Sequence, residues 1–228
     1  MNDQDPAQDP AQDPALVRKL RDGLDRIATA MKSEQWSTAE PLGLNPAQAG
    51  ILQVLVSRQP DGLRIKDIAR HVGVSQPSAT DSVSALSRKG LVEKMPDPDD
   101  ARATRVKPTD AGMKAASRTP TTTPVEHALA SLGDESLETL LTLTIRIIRA
   151  LQIAGAIAPQ RLCVTCAHFR PHAHPDPSAP HHCGFVDAPL ADRMLRLDCG
   201  DHETADQPLQ TQNWTLFLGS TAAIQPNR

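Results

Sequence analysis

Residues 162–185, LCVTCAHFRPHAHPDPSAPHHCGF, hold three of the four cysteines and five of the eight histidines in the 228-residue chain. Thiolate and imidazole are the side chains best suited to binding zinc, iron and copper. Cys163 and Cys166 are separated by two residues, so one tight turn can offer two adjacent corners of a tetrahedron. Cys199-Gly-Asp-His202 repeats that spacing, and His182-Cys183 adds a donor pair between them. The expected metal ligands are therefore Cys163, Cys166, Cys183 and Cys199, with His202 and then His182 as alternatives for one position. Sulfurs about 2.3 Å from a shared metal would close loops of 16 and 15 residues. Three chemistries fit this set: a structural zinc site, an iron–sulfur cluster on four cysteines or on three with a histidine, and a metal-free dithiol switch at Cys163 and Cys166. His172, His174 and His181 belong to a proline-rich stretch, RPHAHPDPSAPHH, and are expected to be solvated.

The rest of the chain must position this segment or be served by it. The net charge is −3, so a nucleic-acid surface has to be a local patch. The start, MNDQDPAQDPAQDPA, lacks a basic leader and an apolar stretch, and no secretory signal is expected. Residues 137–158, the longest apolar segment, are interrupted by Glu138, Arg146 and Arg149 and are not expected to span a bilayer. A soluble cytoplasmic protein is expected. In that reducing compartment clustered cysteines signal metal or redox chemistry more often than disulfides. Tyrosine is absent, and four of the five Trp and Phe residues lie beyond residue 160, so a separate small core is expected there.

Pattern along the chain predicts a mainly α fold. Residues 1–13 carry most of a QDPA repeat and read as a disordered acidic tail. Asp13-Pro14 caps a helix to about Lys32, with Leu16, Leu20, Leu24, Ile27 and Met31 on one face. Asn45-Pro46 opens a second helix. RIKDIARHV forms a third, stopped by Gly73, and Ser75 caps a fourth over QPSATDSVSALSRKG, which buries Ala79, Val83 and Leu86. Two short helices across a glycine turn make a helix-turn-helix. Leu91–Met95 and Thr104–Lys107 then read as a two-stranded ribbon. Thr109-Asp110 opens another helix, broken around Pro120 and Pro124. A long helix over 134–156 turns Leu137, Leu140, Leu141, Ile145, Ile148 and Leu151 one way and Glu138, Thr142, Arg146 and Arg149 the other. NWTLFLG near the C-terminus is expected as a strand.

The run GLNPAQAGILQVL…IKDIARHVGVSQPSATDSVSALSRKGLVEKMPDPDDARATRVKPTDAG, residues 43–112, resembles the MarR family of winged-helix transcriptional regulators. The resemblance rests on SQPSAT…V..L..KGLVEK, the turn with Asp100 and Arg102, and the T..G of Thr109–Gly112. With flanking helices it covers roughly residues 14–156. It implies a homodimer whose terminal helices interlock, one winged head per half-site of a double-stranded DNA operator, and at the wing tip a minor-groove arginine, Arg102, with Asp100 beside it to orient it. The charge pattern agrees: Leu63–Lys107 carries nine Lys and Arg against six acids.

Candidate DNA-binding residues are Ser75, Gln76, Ser78, Thr80, Ser84, Arg88, Arg102 and Arg105, while Asp81 on the same face is expected to repel phosphate rather than to accept from a cytosine amino group. The domain expectation is a tail over 1–13, a winged-helix and dimerisation unit over 14–158, and a Cys/His-rich extension over 159–228. The functional expectation is a regulator, most simply a repressor, sensing redox state, metal or a small ligand. A second option is an ordinary effector pocket near Trp36 with a purely structural zinc. A third is a DNA-tethered interaction or zinc-storage appendage. No deaminase signature, Ser/His/Asp grouping or glycine-rich phosphate loop suggests an enzyme.

Overall fold

A computed structural model describes residues 13–100, 102–117 and 122–221. The QDPA tail up to residue 12 and Pro120 lie outside the described residues. The first helix, α1 (Pro14–Ala39), begins where Asp13 accepts the Ala15 N–H. It runs a further two turns beyond the predicted end because no glycine or proline intervenes before Pro41. Gly43, left-handed at φ 63°, then reverses the chain. Asn45 accepts the Gln48 N–H and starts α2 (Pro46–Ser57).

A two-residue strand, β1 (Leu63–Arg64), was not expected from sequence, being too short to show alternation. It leads into α3 (Ile65–Val72) and, past left-handed Gly73, into α4 (Gln76–Arg88). The ribbon follows as β2 (Val92–Pro96) and β3 (Thr104–Pro108). The sheet order is β1-β3-β2, all antiparallel, with Lys94 opposite Val106 and Leu63 on its other side. The core of this head packs Ile51, Leu52, Leu55, Ile68, Val83 and Val106.

Next come α5 (Asp110–Ala116) and α6 (Pro124–Ala130). Pro124, expected as a break, is the first residue of α6 behind a Thr123–Glu126 capping box, a position where a missing N–H costs nothing. The Val125 N–H donates to Glu34 on α1 at 2.6 Å.

Helix α7 (Asp134–Ile153) divides its apolar face. Ile145 is buried, with Leu141 and Ile148 beside it, against Leu162, Phe169 and Phe217 of the C-terminal segment. Leu140, Leu143, Ile147 and Leu151 stay exposed, like the Leu16–Met31 stripe of α1. Part of the polar side expected to face solvent is docked as well: Glu138 pairs with Arg193, and Arg149 donates to Gln210 at 2.8 Å.

The C-terminal segment folds as a 3-10 turn (Cys163–Thr165) and a small antiparallel sheet of β4 (Phe169–Arg170), β5 (His181–Cys183) and β6 (Ala188–Leu190). It ends in α8 (Gln207–Thr221). That helix corrects the predicted NWTLFLG strand. Its buried stripe is Gln210, Asn213 and Phe217, with Trp214 alongside, and the two amides are satisfied by the carbonyls of Ala205 and Phe169. Polar residues on the inward face hide a helical period from a hydrophobicity count. No helix among the described residues is long and apolar enough to cross a membrane.

Candidate nucleic-acid interface and four-cysteine site

Helix α4 presents Gln76, Ser78, Thr80, Asp81 and Arg88 to solvent opposite its buried Ala79, Val83 and Leu86. Several of the expected contact residues already hold partners. The Ser75 hydroxyl caps the helix by accepting the Ser78 N–H at 3.2 Å. Thr80 donates to the Gln76 carbonyl at 2.9 Å, and half-buried Ser84 accepts from Lys94 at 3.1 Å. Lys89 reaches back to the Gly43 carbonyl and to Gln48, anchoring the end of α4 on the start of α2. Gln76, Arg88 and the wing are left to reach outward.

The base of the wing is stiffened by a residue that sequence reasoning missed. Asp97, 3% exposed, accepts two bonds from Arg64, at 2.8 and 2.6 Å, and one from Arg105 at 2.8 Å. Arg105 also approaches Asp99 at 3.4 Å, so its guanidinium is held within the wing. The Arg64 fork, then Arg105 and the Asp99 N–H, hold the Asp97 carboxyl well below the usual carboxylate range. Its stabilising effect is therefore present above about pH 4, the unfolded value, and is lost as pH falls through the depressed folded one. Arg105 so close in sequence to a run of aspartates was the available signal.

At the tip, the Asp100 carboxylate accepts the backbone N–H of Arg102 at 3.0 Å. Asp100 thus fixes the backbone of Arg102 within the turn. The Arg102 side chain is exposed and makes no ion pair among the described residues. Replacing Arg102 by alanine should weaken binding to every duplex and reduce the slope of log affinity against log salt by about one. Binding isotherms over a salt series measure it; an unchanged slope would contradict a phosphate or minor-groove role.

The four cysteines converge, and all are free thiols. Cys163 opens the 3-10 turn and Cys166 closes it, its N–H donating to the Cys163 carbonyl at 2.9 Å. Cys183 ends β5, opposite Phe169 of β4. The Cys199 N–H donates to the Arg161 carbonyl at 3.0 Å, beside the first turn. All four line one partly open cavity of about 130 Å³. Burial pushes the Cys163 thiol up to about 11. Among the described residues, no group of three or more His, Cys, Asp or Glu side chains is arranged so that it could hold a metal ion.

Neither expected histidine shares that cavity. His202 pairs with the Thr165 hydroxyl at 2.9 Å, and His182 lies between His174, at 3.1 Å, and Asp187, at 3.2 Å. His168 lines the cavity instead, its Nε2 3.3 Å from a Glu203 oxygen. His181, expected in solvent, is fully buried. Its Nδ1 accepts the His172 N–H at 3.1 Å, which leaves Nε2–H to donate to Asp192 at 2.8 Å. That geometry makes it a core strut.

One residue before Cys199, Asp198 ties the cysteine site to the winged head. It takes Arg161 at 2.7 Å and Arg58, at the end of α2, at 3.2 Å. Arg161 also donates to the Ser57 carbonyl at 2.5 Å. Burial disfavours the Asp198 charge, but Arg161 and Arg58 outweigh it and hold the carboxyl below its ordinary value. A separate cavity of about 500 Å³ lies among α1, α2, α3 and α5, lined by Thr38, Leu44, Gln53, Val54 and His71. Trp36 is exposed and outside it.

Residues 42–103, from the residue before Gly43 to the wing turn, match the profile of the MarR family. No curated protein matches the chain. Among solved structures, the transcriptional repressor CouR of Rhodococcus jostii RHA1, bound to a 23-mer DNA duplex, is similar at 24% identity with a TM-score of 0.50. It covers 59% of this chain and 96% of its own. MepR of S. aureus in a DNA complex aligns at 22% identity over 56% of this chain and 95% of its own, TM-score 0.47. Apo MarR of E. coli aligns at 19% over 56% and 96%, TM-score 0.49. The CouR likeness is one of fold: a winged head with flanking helices.

Proposed function

We propose that the chain is a MarR-family transcriptional regulator, a repressor in its simplest mode, that grips duplex DNA as a homodimer. The observation that carries this reading is the exposed polar face of α4 beside a ribbon whose base is locked by Arg64, Asp97 and Arg105. A helix of this size enters a major groove, and the ribbon then falls on the flanking backbone or minor groove. The profile match over 42–103 and the CouR fold support the same partner. Such a protein acts by binding, without catalysis, and works in the cytoplasm with the chromosome. Binding assays on specific and random duplexes test the reading; equal affinity for both would overturn it.

The four thiols form a metal centre, in our reading, and its state biases the head. Asp198 is the route, because it lies next to Cys199 and grips Arg58 and Arg161. A coupling of about 1–3 kcal/mol gives a roughly 5–150-fold change in operator affinity when metal is removed. Asp198→Ala should shrink that change to less than about twofold while metal content stays the same. Operator titrations of metal-loaded and chelated protein check it. A variant that responds as strongly as the parent chain would sink the route, and a parent chain with no response would sink metal sensing itself.

The 500 Å³ cavity between α2 and α5 favours a second, compatible input, a small apolar effector with one or two polar groups facing Gln53 and His71.

A further inference from the structure

The four cysteines reach their cavity from three unrelated pieces of backbone, the 3-10 turn, the end of β5 and the loop after Leu195. A zinc ion bound by four sulfurs at about 2.3 Å draws them into contact with one another and leaves no void between them. Here the four thiols, with Phe169, Phe185, Val186, Leu190 and Met194, share the wall of a partly open cavity of about 130 Å³. That is close to the ~150 Å³ of an engineered core cavity that accepts a benzene molecule. The cavity has room beside the thiols for a compact polyatomic occupant.

The walls suit the same occupant. Phe169 and Leu190 are buried beneath the thiols, while Phe185, Val186 and Met194 overhang the mouth with large exposed apolar surfaces. An apolar shell of this kind limits water access to an inorganic core and tunes its electronics. Two N–H groups of one residue point at sulfur: the backbone N–H of Arg196 donates to Cys163 Sγ at 3.2 Å, and its guanidinium reaches Cys199 Sγ at 3.8 Å. Hydrogen bonds to cysteinyl sulfur, with a cation nearby, stabilise the negative charge that a thiolate-ligated cluster carries.

Resting on the metal-centre reading above, we propose that Cys163, Cys166, Cys183 and Cys199 ligate an iron–sulfur cluster in place of a single zinc ion. The three-dimensional arrangement uses all four thiols of the chain, one per ligand position, and needs neither His202 nor His182, which are engaged elsewhere. His168 at the cavity wall is then a neighbour of the cluster.

The test is metal and sulfide analysis of the full-length chain, purified without oxygen from cells supplied with both iron and zinc, together with its visible spectrum. Iron and acid-labile sulfide in equal amounts, at least two of each per chain, with a broad visible absorption that bleaches in air, are the expected result. A colourless protein with one zinc per chain and no labile sulfide would overturn the cluster and leave the four-thiolate metal centre standing. A protein with neither metal would overturn both. Cys183→Ser and Leu190→Trp separate ligation from folding. Both should lose iron and sulfide while the winged head stays folded and binds its operator as the chelated parent chain does, whereas full cluster content in either variant would contradict the assignment.

Discussion

Replacing Leu20 and Leu24 together by glutamate splits the dimer into single chains and lowers operator affinity by at least about a hundredfold. Within one chain these leucines are 61% and 53% exposed, and Leu16, Ile27 and Met31 extend the same stripe. Only Ala39 of α1 is buried against the rest of the chain. In the homodimer proposed above, this 26-residue helix with its bare apolar stripe is held in place by a partner surface of the same character. The exposed Leu140, Leu143, Ile147 and Leu151 of α7 supply a matching one.

Full burial of a leucine stabilises by roughly 1.5–3 kcal/mol, and the double replacement removes four leucines from a symmetric interface while adding four charges to be desolvated. The head keeps its own core around Ile51, Ile68 and Val83, so a folded monomer is the expected product. Losing the second reading head removes the intramolecular second contact, which is worth roughly 10²–10⁴ in avidity. Sedimentation velocity and operator titration read both effects. A double variant that remains dimeric and binds as the parent does would place the interface elsewhere.

Gly112→Ala should unfold the head at a markedly lower temperature. A Cβ at this position would lie 2.0 Å from the Leu91 carbonyl oxygen and 3.2 Å from Leu52 Cδ1. The carbonyl cannot retreat, because it accepts the Thr109 N–H at 3.0 Å and so joins the start of β2 to the cap of α5. Thr109 in turn caps Gly112 itself and donates to the Gly90 carbonyl. Overpacking against fixed backbone costs about 3 kcal/mol or more, a large share of a typical 5–15 kcal/mol stability. A fall in Tm of roughly 6–12 °C follows for a chain of this size. Gly219→Ala in α8 is the control: nothing lies within 4 Å of its Cβ, and the helix should gain a little. Equal melting of Gly112→Ala and the parent would refute the packing argument.

The T..G pattern thus has a mechanical cause, and it was legible in the sequence together with the helix-turn-helix, because caps and glycine stops announce themselves locally. Ser75, Gly73 and Asn45 were each readable without knowing any tertiary contact. What stayed hidden depends on long-range contacts. The strand β1 exists only because Arg105 and Val106 pair with it. Helix α8 hides its period because Gln210 and Asn213 point inward to distant carbonyls.

His181 looked like part of a solvated proline-rich loop, yet Asp192, eleven residues on, satisfies its buried ring. Asp97 lies in the turn between the ribbon strands, and only the approach of Arg64 from β1 reveals it as the buried anchor of the wing. For the cysteine site, composition grouped the four thiols as one set, and all four line the same cavity. Spacing alone favoured His202 by analogy with CxxC, but its ring is turned to Thr165, away from the cavity.

Selection of bound sequences from a pool of random duplexes, using the purified full-length chain at moderate salt, tests the account at its centre. Two identical reading heads related by a two-fold axis should enrich an inverted repeat whose half-sites lie about one helical turn apart. Recovery of such a repeat, with binding that weakens steeply as salt rises, is the predicted outcome. A pool that shows no enrichment after repeated rounds, or yields a single unrepeated motif bound by one chain, would contradict it.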